Sequence, residues 1–146
     1  MKFTIEKPLP SDFDEITDVW EASVRATHDF LKEEDILFFR PLILNEYLKV
    51  VDLYMIKSEG RIAGFTGLSE TAIEMLFIHS DFRGNGIGRE LLQFAVREKL
   101  VTKVDVNEQN AQAVGFYQKM GFMVKGRSET DGLGKPYPLL YMELQG

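Results

Sequence analysis

The sequence contains no cysteine among its 146 residues, so disulfide bonds, thiolate-bound metals and a catalytic thiol are all excluded. We expect no metal cofactor. The chain also lacks an apolar run long enough to span a membrane, and it lacks a signal-peptide pattern. A cytoplasmic protein without a membrane partner is therefore expected. The net charge of −6 at pH 7 argues against nucleic acid as a main partner.

Patterns of apolar residues predict strands that alternate with helices in a single domain, which we expect to span residues 1–146. The predicted strands are 3–6, 51–57, 62–68, 72–78, 101–106, 122–126 and 139–144. The predicted helices are 13–24, 33–48, 89–100 and 110–120. Because helices lie between the later strands, this order predicts an α/β fold with a sheet of mixed direction.

Local signals refine the boundaries of these elements. Ser11 and Asp14 resemble a capping box at the start of the first helix. Pro41 should kink the second helix or start a new helix. Residues 58–61 should form the turn of a hairpin. Gly121 should end the last helix, because a residue in the left-handed conformation is favoured there.

A glycine-rich segment, Arg83-Gly84-Asn85-Gly86-Ile87-Gly88, lies between a predicted strand and a predicted helix. Such a turn leaves backbone N–H groups unpaired, and the helix dipole adds partial positive charge at the same place. Glycines also let an anion approach the backbone closely. The segment therefore predicts a phosphate or pyrophosphate site, with a structural turn that binds no ligand as the alternative.

The spacing of the glycines separates the classes of phosphate ligand. A dinucleotide fingerprint needs a third glycine at position 89, which is Arg89. A Walker loop needs a Gly-Lys-Ser/Thr ending, which is absent. The pattern that matches is Arg-x-x-Gly-x-Gly, formed by Arg83, Gly86 and Gly88. A Rossmann-type nucleotide-binding protein is therefore a distant alternative.

A second segment, from Asn107 to Phe122, follows about twenty residues downstream. It contains a spaced alanine, a Phe-Tyr pair and a Gly-Phe pair that follows a lysine and a methionine. Together the two segments resemble the signatures of the GNAT family, the acetyl-CoA-dependent N-acetyltransferases. The resemblance implies a single-domain, mostly antiparallel sheet with flanking helices and a splayed central strand pair. It also implies transfer of an acetyl group to a primary amine by direct attack in a ternary complex.

The resemblance also implies which residues bind acetyl-CoA. Main-chain atoms of the strand before the loop should contact the pantetheine arm, and the loop amides should hold the pyrophosphate. Asn107 and Asn110 match polar cofactor contacts, with turn formation and helix capping as their alternatives. The implied cofactor-binding residues are Leu76, Phe77, Ile78, Arg83, Gly84, Asn85, Gly86, Ile87, Gly88, Arg89, Asn107, Asn110 and Phe116.

For catalysis, Tyr117 matches the position of the family's general acid beside the cofactor sulfur, and packing against Phe116 is the alternative. Glu74 lies in the strand before the loop, where the family often has a carboxylate, and it is one candidate for the general base. His28 is the other candidate, because histidine can act as a base near neutral pH. The alternative for Glu74 is a strand residue that faces outward and has no catalytic role. For His28, the alternative is that its segment only caps a helix, through Thr27 or Asp29. Water is a third candidate for the proton acceptor.

The sequence says less about the residues that bind the acceptor amine. His28, Arg127 and Tyr137 are implied to bind the substrate, and His28, Glu74 and Tyr137 should converge on one cleft. For Arg127 and Tyr137, which lie on or beside the last predicted hairpin, the alternative is that they are solvated loop residues that bind no substrate. The segment from Gly126 to Leu140 and the segment Thr27-His28-Asp29-Phe30-Leu31 resemble the YjaB-type subgroup of bacterial GNAT proteins.

The sequence leaves three questions about function open. The acceptor can be a small-molecule amine or an amine of a peptide or protein. The protein can be a monomer or a homodimer. The alternative function is a non-catalytic acyl-CoA-binding module used for sensing or interaction.

Overall fold

The computed structural model describes residues 3–145, which form one seven-stranded sheet with flanking helices. The strands are β1 (Ile5–Glu6), β2 (Asp52–Ser58), β3 (Arg61–Ser69), β4 (Ala72–Ile78), β5 (Lys103–Asn107), β6 (Phe122–Ser128) and β7 (Leu139–Leu144). The α-helices are α1 (Phe13–Thr27), α2 (Glu33–Leu42), α3 (Leu48–Val50), α4 (Ile87–Lys99) and α5 (Ala111–Lys119). Residues 1, 2 and 146 of the predicted domain lie outside the described residues. Between residues 3 and 145, no helix has both the length and the apolar character needed to cross a membrane.

The strand order in the sheet is β1-β2-β3-β4-β5-β7-β6. Neighbouring strands run antiparallel, except that β4 and β5 are parallel. The hairpin of β2 and β3 turns at Glu59 and Gly60, whose φ angles are 56° and 75°, and two positive φ angles are typical of a type I′ turn. The predicted mixed, mostly antiparallel sheet is confirmed, and the hairpin turns at the predicted residues.

The parallel pair in the middle of the sheet opens into a cleft. β4 and β5 share only two residue pairs, which end at Ile73 and Val104. Along its other edge β4 pairs with β3 except at Glu74, where the register shifts by one residue, and a bulge of this kind bends the strand. Thr66 on β3 donates its hydroxyl to the Met75 carbonyl at 2.7 Å, next to the bulge. Beyond Ile73, the edge of β4 that faces β5 therefore has no strand partner.

Apolar layers cover the two opposite faces of the sheet. Met55 of β2 is buried in a cluster with Ile16 of α1, whereas Ile56 is buried in a cluster with Leu91 of α4. Because successive residues of a strand point to opposite faces, α1 and α4 lie on opposite sides of the sheet. A third cluster joins α4 to α5, which contributes Tyr117. The residues around the cleft are therefore supported from both sides.

The start of α1 differs from the prediction. Ser11 lies in a short 3₁₀ turn, Pro10–Asp12, and Asp12 occupies the position before the helix. The Asp12 carboxylate accepts a hydrogen bond from the Leu9 N–H at 2.9 Å, so this turn satisfies its own polar groups. The predicted capping box of Ser11 and Asp14 is wrong.

At the proline of the second helical region, one of the two predicted outcomes does not occur. Pro41 lies inside α2 and starts no new helix. Because proline lacks an N–H, it removes one helical hydrogen bond, and the chain then widens into a π-helical turn at Ile43–Tyr47. Gly121 has a φ angle of 99° after the end of α5, as predicted. The other boundaries shift by a few residues; β5, for example, begins at residue 103 rather than 101.

Candidate active site

The opening between β4 and β5 forms a cavity of about 400 Å³. A second cavity of about 220 Å³ lies over the glycine-rich loop. The two cavities share four lining residues, Ile78, Arg83, Gly88 and Phe116. They therefore form one channel that runs from the loop at the start of α4 into the cleft between the strands.

The loop at the start of α4 has the open backbone that its glycines predict. Gly84 and Gly86 have φ angles of 83° and 81°, and a Cβ at either position would have no atom within 4 Å. The first turn of α4 leaves its amide N–H groups without helical partners. Arg83 donates to the Gln112 side chain and so connects the loop to α5. Free amides at an open helix start suit a pyrophosphate.

Residues of β4 line the channel between the loop and the cleft. Leu76, Phe77 and Ile78 all border the cavity, and the adjacent strand edge is unpaired. An extended ligand can pair with such an edge as another strand would. A Cβ on Gly88 would lie 3.7 Å from Ile78 and 3.8 Å from Phe116. The missing side chain of Gly88 therefore keeps this part of the channel wide.

Asn107 and Asn110 line the cleft and also have local structural roles. Asn107 Oδ1 accepts a hydrogen bond from the Gln109 N–H at 3.1 Å, which forms a turn after β5. Asn110 Oδ1 accepts from the Ala113 N–H at 3.1 Å, which caps α5. Because both oxygens are used locally, the NH₂ groups are the parts of these side chains that can bind a ligand.

Tyr117 reaches the cleft from α5. It is only 6% exposed, and the rings of Phe116 and Phe122 pack edge-on against it, with centroids 5.2 and 5.6 Å away. Within residues 3–145 every fully enclosed side-chain oxygen has a hydrogen-bond partner, and the Tyr117 hydroxyl forms no hydrogen bond there. Tyr117 lines the cavity between β4 and β5, and the hydroxyl is the polar group that this side chain can present there. Burial raises the pKa of the Tyr117 phenol, so the phenol holds its proton at neutral pH and is a weaker acid than a free tyrosine.

Two carboxylates line the cleft, one from each of the diverging strands. Glu74 lies at the bulge of β4 and accepts a hydrogen bond from the Ser69 hydroxyl at 2.6 Å. Asp105 on β5 lines the same cavity. Burial, and to a smaller extent the charge of Glu74, raises the pKa of Asp105, as expected for carboxylates that share a site. Asp105 is therefore a candidate general base that was not predicted from the sequence. Its alternation with the buried Val104 and Val106 places it on the opposite face of β5 from those two valines.

His28 follows the last residue of α1 and also lines the cleft. The centroid of its ring lies 5.2 Å from that of Phe30 and 6.5 Å from that of Phe77. Burial lowers the pKa of His28 to about 4, and the charge of Asp29 opposes this effect only weakly. The ring is therefore neutral near pH 7 and is a weak proton acceptor. This counts against the predicted role of His28 as a base near neutral pH.

Arg127 and Tyr137 lie outside the cleft. Arg127 forms an exposed ion pair with a glutamate in the connection between β5 and α5. Tyr137 is 5% exposed, and its hydroxyl donates to the Asp35 carboxylate of α2. Neither residue lines the cavity. Of the three residues predicted to converge on the cleft, His28 and Glu74 do so and Tyr137 does not, because Tyr137 is turned towards α2.

The chemical character of the channel changes along its length. The loop offers free amides, the middle offers an unpaired strand edge and aromatic carbon, and the inner end offers a phenol and two carboxylates. This order fits a ligand that has a pyrophosphate, an extended arm and a reactive end. Among residues 3–145, no group of three or more histidine, aspartate or glutamate side chains could hold a metal ion.

Comparison with known proteins identifies the family. The family described as Acetyltransferase (GNAT) domain matches residues 39–135. Peptidyl-lysine N-acetyltransferase YjaB of Escherichia coli K12 is 42% identical over 100% of this chain and 99% of its own length. The solution structure of apo-form YjaB from E. coli matches with a TM-score of 0.89 and 41% identity, over 100% of this chain and 99% of that one.

A more distant structure shows the same fold. The PaiA N-acetyltransferase of Thermoplasma acidophilum, solved in complex with coenzyme A, matches over the full length of both chains with a TM-score of 0.75 and 20% identity. The predicted fold, the predicted enzyme class with its cofactor, and the YjaB-type resemblance are confirmed. The chain belongs to the GNAT family of acetyl-CoA-dependent N-acetyltransferases.

Proposed function

We propose that this protein transfers the acetyl group of acetyl-CoA to the side-chain amine of a lysine in a polypeptide, by direct attack in a ternary complex. The observation that best supports the proposal is that Tyr117 lines the same cleft as Glu74 and Asp105. Lysine as the acceptor is supported by the E. coli relative, which is a peptidyl-lysine N-acetyltransferase. The two carboxylates are compatible with it, since they attract the ammonium group of any primary amine.

Different residues along the channel would bind different parts of acetyl-CoA. When bound, acetyl-CoA supplies an activated thioester. The amides of residues 84–89 would hold its pyrophosphate at the start of α4, and the unpaired edge of β4 would pair with its arm. Tyr117, which is protonated at neutral pH, would donate the proton of its hydroxyl to the leaving sulfur. Because burial raises the pKa of the phenol, this donation would depend on the hydroxyl being held close to the sulfur.

The acceptor ammonium must lose a proton before its nitrogen can attack. Glu74 and Asp105 are the carboxylates that line the cleft where this happens. Burial raises the pKa of Asp105, which makes this carboxylate a better proton acceptor than an ordinary aspartate. We assign proton acceptance to this pair, either directly or through water.

The acceptor assignment is tested with three amines at equal concentration. The first is a peptide with one internal lysine and a blocked N-terminus. The second is the same peptide with alanine in place of lysine and a free N-terminus, and the third is free lysine. Released thiol measures the rate, and mass spectrometry locates the acetyl group.

We expect rapid acetylation of the first peptide, at the lysine Nζ. Transfer only to the free N-terminus or only to free lysine would contradict a polypeptide lysine as the acceptor. Binding of acetyl-CoA without transfer to any amine would instead favour the acyl-CoA-binding module. The assembly state and the cytoplasmic location stay predictions from the sequence.

A further inference from the structure

A chain of polar contacts crosses the cleft from α1 to α5. The Thr27 hydroxyl donates to the Ser23 carbonyl at 2.8 Å, and Thr27 Oγ1 lies 2.7 Å from His28 Nδ1. On the other side of the ring, His28 Nε2 lies 3.4 Å from Asn110 Nδ2. Asn110 Oδ1 then accepts from the Ala113 N–H at 3.1 Å. All five residues of this series of contacts line the cavity, so the series forms part of the cavity wall.

The two ends of this chain determine which nitrogen of His28 bears the hydrogen. The Ser23 carbonyl can only accept, and with the single Thr27 hydroxyl proton donated there, Thr27 Oγ1 accepts from His28 Nδ1. The Ala113 N–H can only donate, so the oxygen of Asn110 faces it and the NH₂ group faces His28 Nε2. Nδ1 therefore carries a hydrogen and Nε2 carries a lone pair. Both ends lead independently to the same tautomer.

We propose that His28 is a positioning residue, whose Nε2 lone pair holds the Asn110 NH₂ group in the cleft, and that it does not take the proton of the acceptor amine. The proposal rests on the proposed function only in placing acetyl transfer in this cleft. A proton on Nε2 would bring an N–H against the Asn110 NH₂ group, so the contacts oppose the charged ring. Burial, which lowers the pKa of His28 to about 4, acts in the same direction.

If His28 positions Asn110, its loss should affect the binding of acetyl-CoA more than the reaction of the acceptor amine. An NH₂ group has two hydrogens, and His28 engages one of them. The second hydrogen is then fixed in direction and is available to an acceptor atom on the acetyl-CoA arm. Losing His28 should therefore weaken the apparent binding of acetyl-CoA without moving the pH profile of the reaction.

Two substitutions separate positioning from proton transfer. His28→Gln keeps an acceptor oxygen near the place of Nε2 but has no basic nitrogen. His28→Phe keeps the ring that packs against Phe30 and Phe77 but has no acceptor. We expect His28→Phe to raise KM for acetyl-CoA by about three- to tenfold, the range for one hydrogen bond, and His28→Gln to recover most of this loss.

A double-mutant cycle tests whether the effect runs through Asn110. Asn110→Ser keeps a helix-capping side chain but removes the NH₂ group. In that background His28→Phe should add little further change in KM. A full additional increase in KM would show that His28 acts on something other than Asn110 and would overturn the proposal.

Nitrogen-15 NMR of the imidazole ring reads the tautomer without any activity. The chain has two histidines, so the spectrum of His28→Gln identifies the His28 signals. At pH 7 we expect a protonated Nδ1 and an unprotonated Nε2, whichever amine the protein acetylates. A hydrogen on Nε2 would overturn the proposal. The proposal would also be overturned if His28→Gln were as impaired in acetyl transfer as His28→Phe and if both variants lost most activity at low pH.

Discussion

Acid should destabilise this protein through one identifiable residue, His28. Its pKa is about 4 in the folded chain and about 6.5 in an unfolded chain. As the pH falls from 6.5 to 4, the unfolded state binds a proton that the folded state does not, so the free energy of unfolding decreases through this window. By pH 4 the loss from this group is about 3 kcal/mol, since each pKa unit corresponds to about 1.4 kcal/mol.

Urea unfolding at pH 7 and at pH 4, followed by circular dichroism, measures this loss. Carboxylates titrate in the same range, so the informative quantity is the difference between the wild type and His28→Phe, which cannot be protonated at this position. We expect the acid-induced loss to be about 3 kcal/mol smaller in the variant, with equal denaturant slopes in both proteins. An identical pH dependence in the two proteins would refute a buried, neutral His28.

Three further predictions concern the channel and the strands that form it. Gly86→Val should abolish acetyl-CoA binding in calorimetry, whereas Gly60→Val, with a similar positive φ in equally open space, should not; normal affinity in a folded Gly86→Val protein would remove the pyrophosphate from this loop. Glu74→Gln or Asp105→Asn should slow transfer most at low pH and recover at high pH, where the amine has already lost its proton; wild-type profiles in both variants would leave water as the acceptor. Gly64→Ala should destabilise the fold by about 1–3 kcal/mol, because the new Cβ would lie 2.9 Å from Ile87 Cγ2 and 3.2 Å from the Phe77 carbonyl oxygen. An unchanged urea midpoint would contradict such close packing.

The parts of the site that the sequence predicts are those with local signals. β4 and β7 have their predicted bounds, because short apolar runs between turn residues indicate strands. The glycine-rich loop and Tyr117 lie in compact motifs, and all of the motif residues that the channel needs are close together in the sequence. The structure places the loop and Tyr117 along one channel.

The parts that the sequence does not predict depend on residues far apart in the chain. Asp105 becomes a cleft residue only because β4 and β5 separate after Ile73, and no local pattern reports that separation. Tyr137 faces away from the cleft because its hydroxyl bonds to Asp35, which is 102 positions away. The neutral state of His28 similarly depends on how tertiary packing encloses the ring.

The most direct test of the acetyl-transfer site is the turnover of Tyr117→Phe with saturating acetyl-CoA and a lysine peptide, under conditions where the chemical step limits the rate. Only the phenolic oxygen is removed, and the packing of the ring against Phe116 and Phe122 is kept, so acetyl-CoA affinity should not change. We expect turnover to fall by about ten- to a thousandfold, as for the loss of a general acid. Undiminished turnover would show that Tyr117 only packs in α5, and it would contradict the site described here.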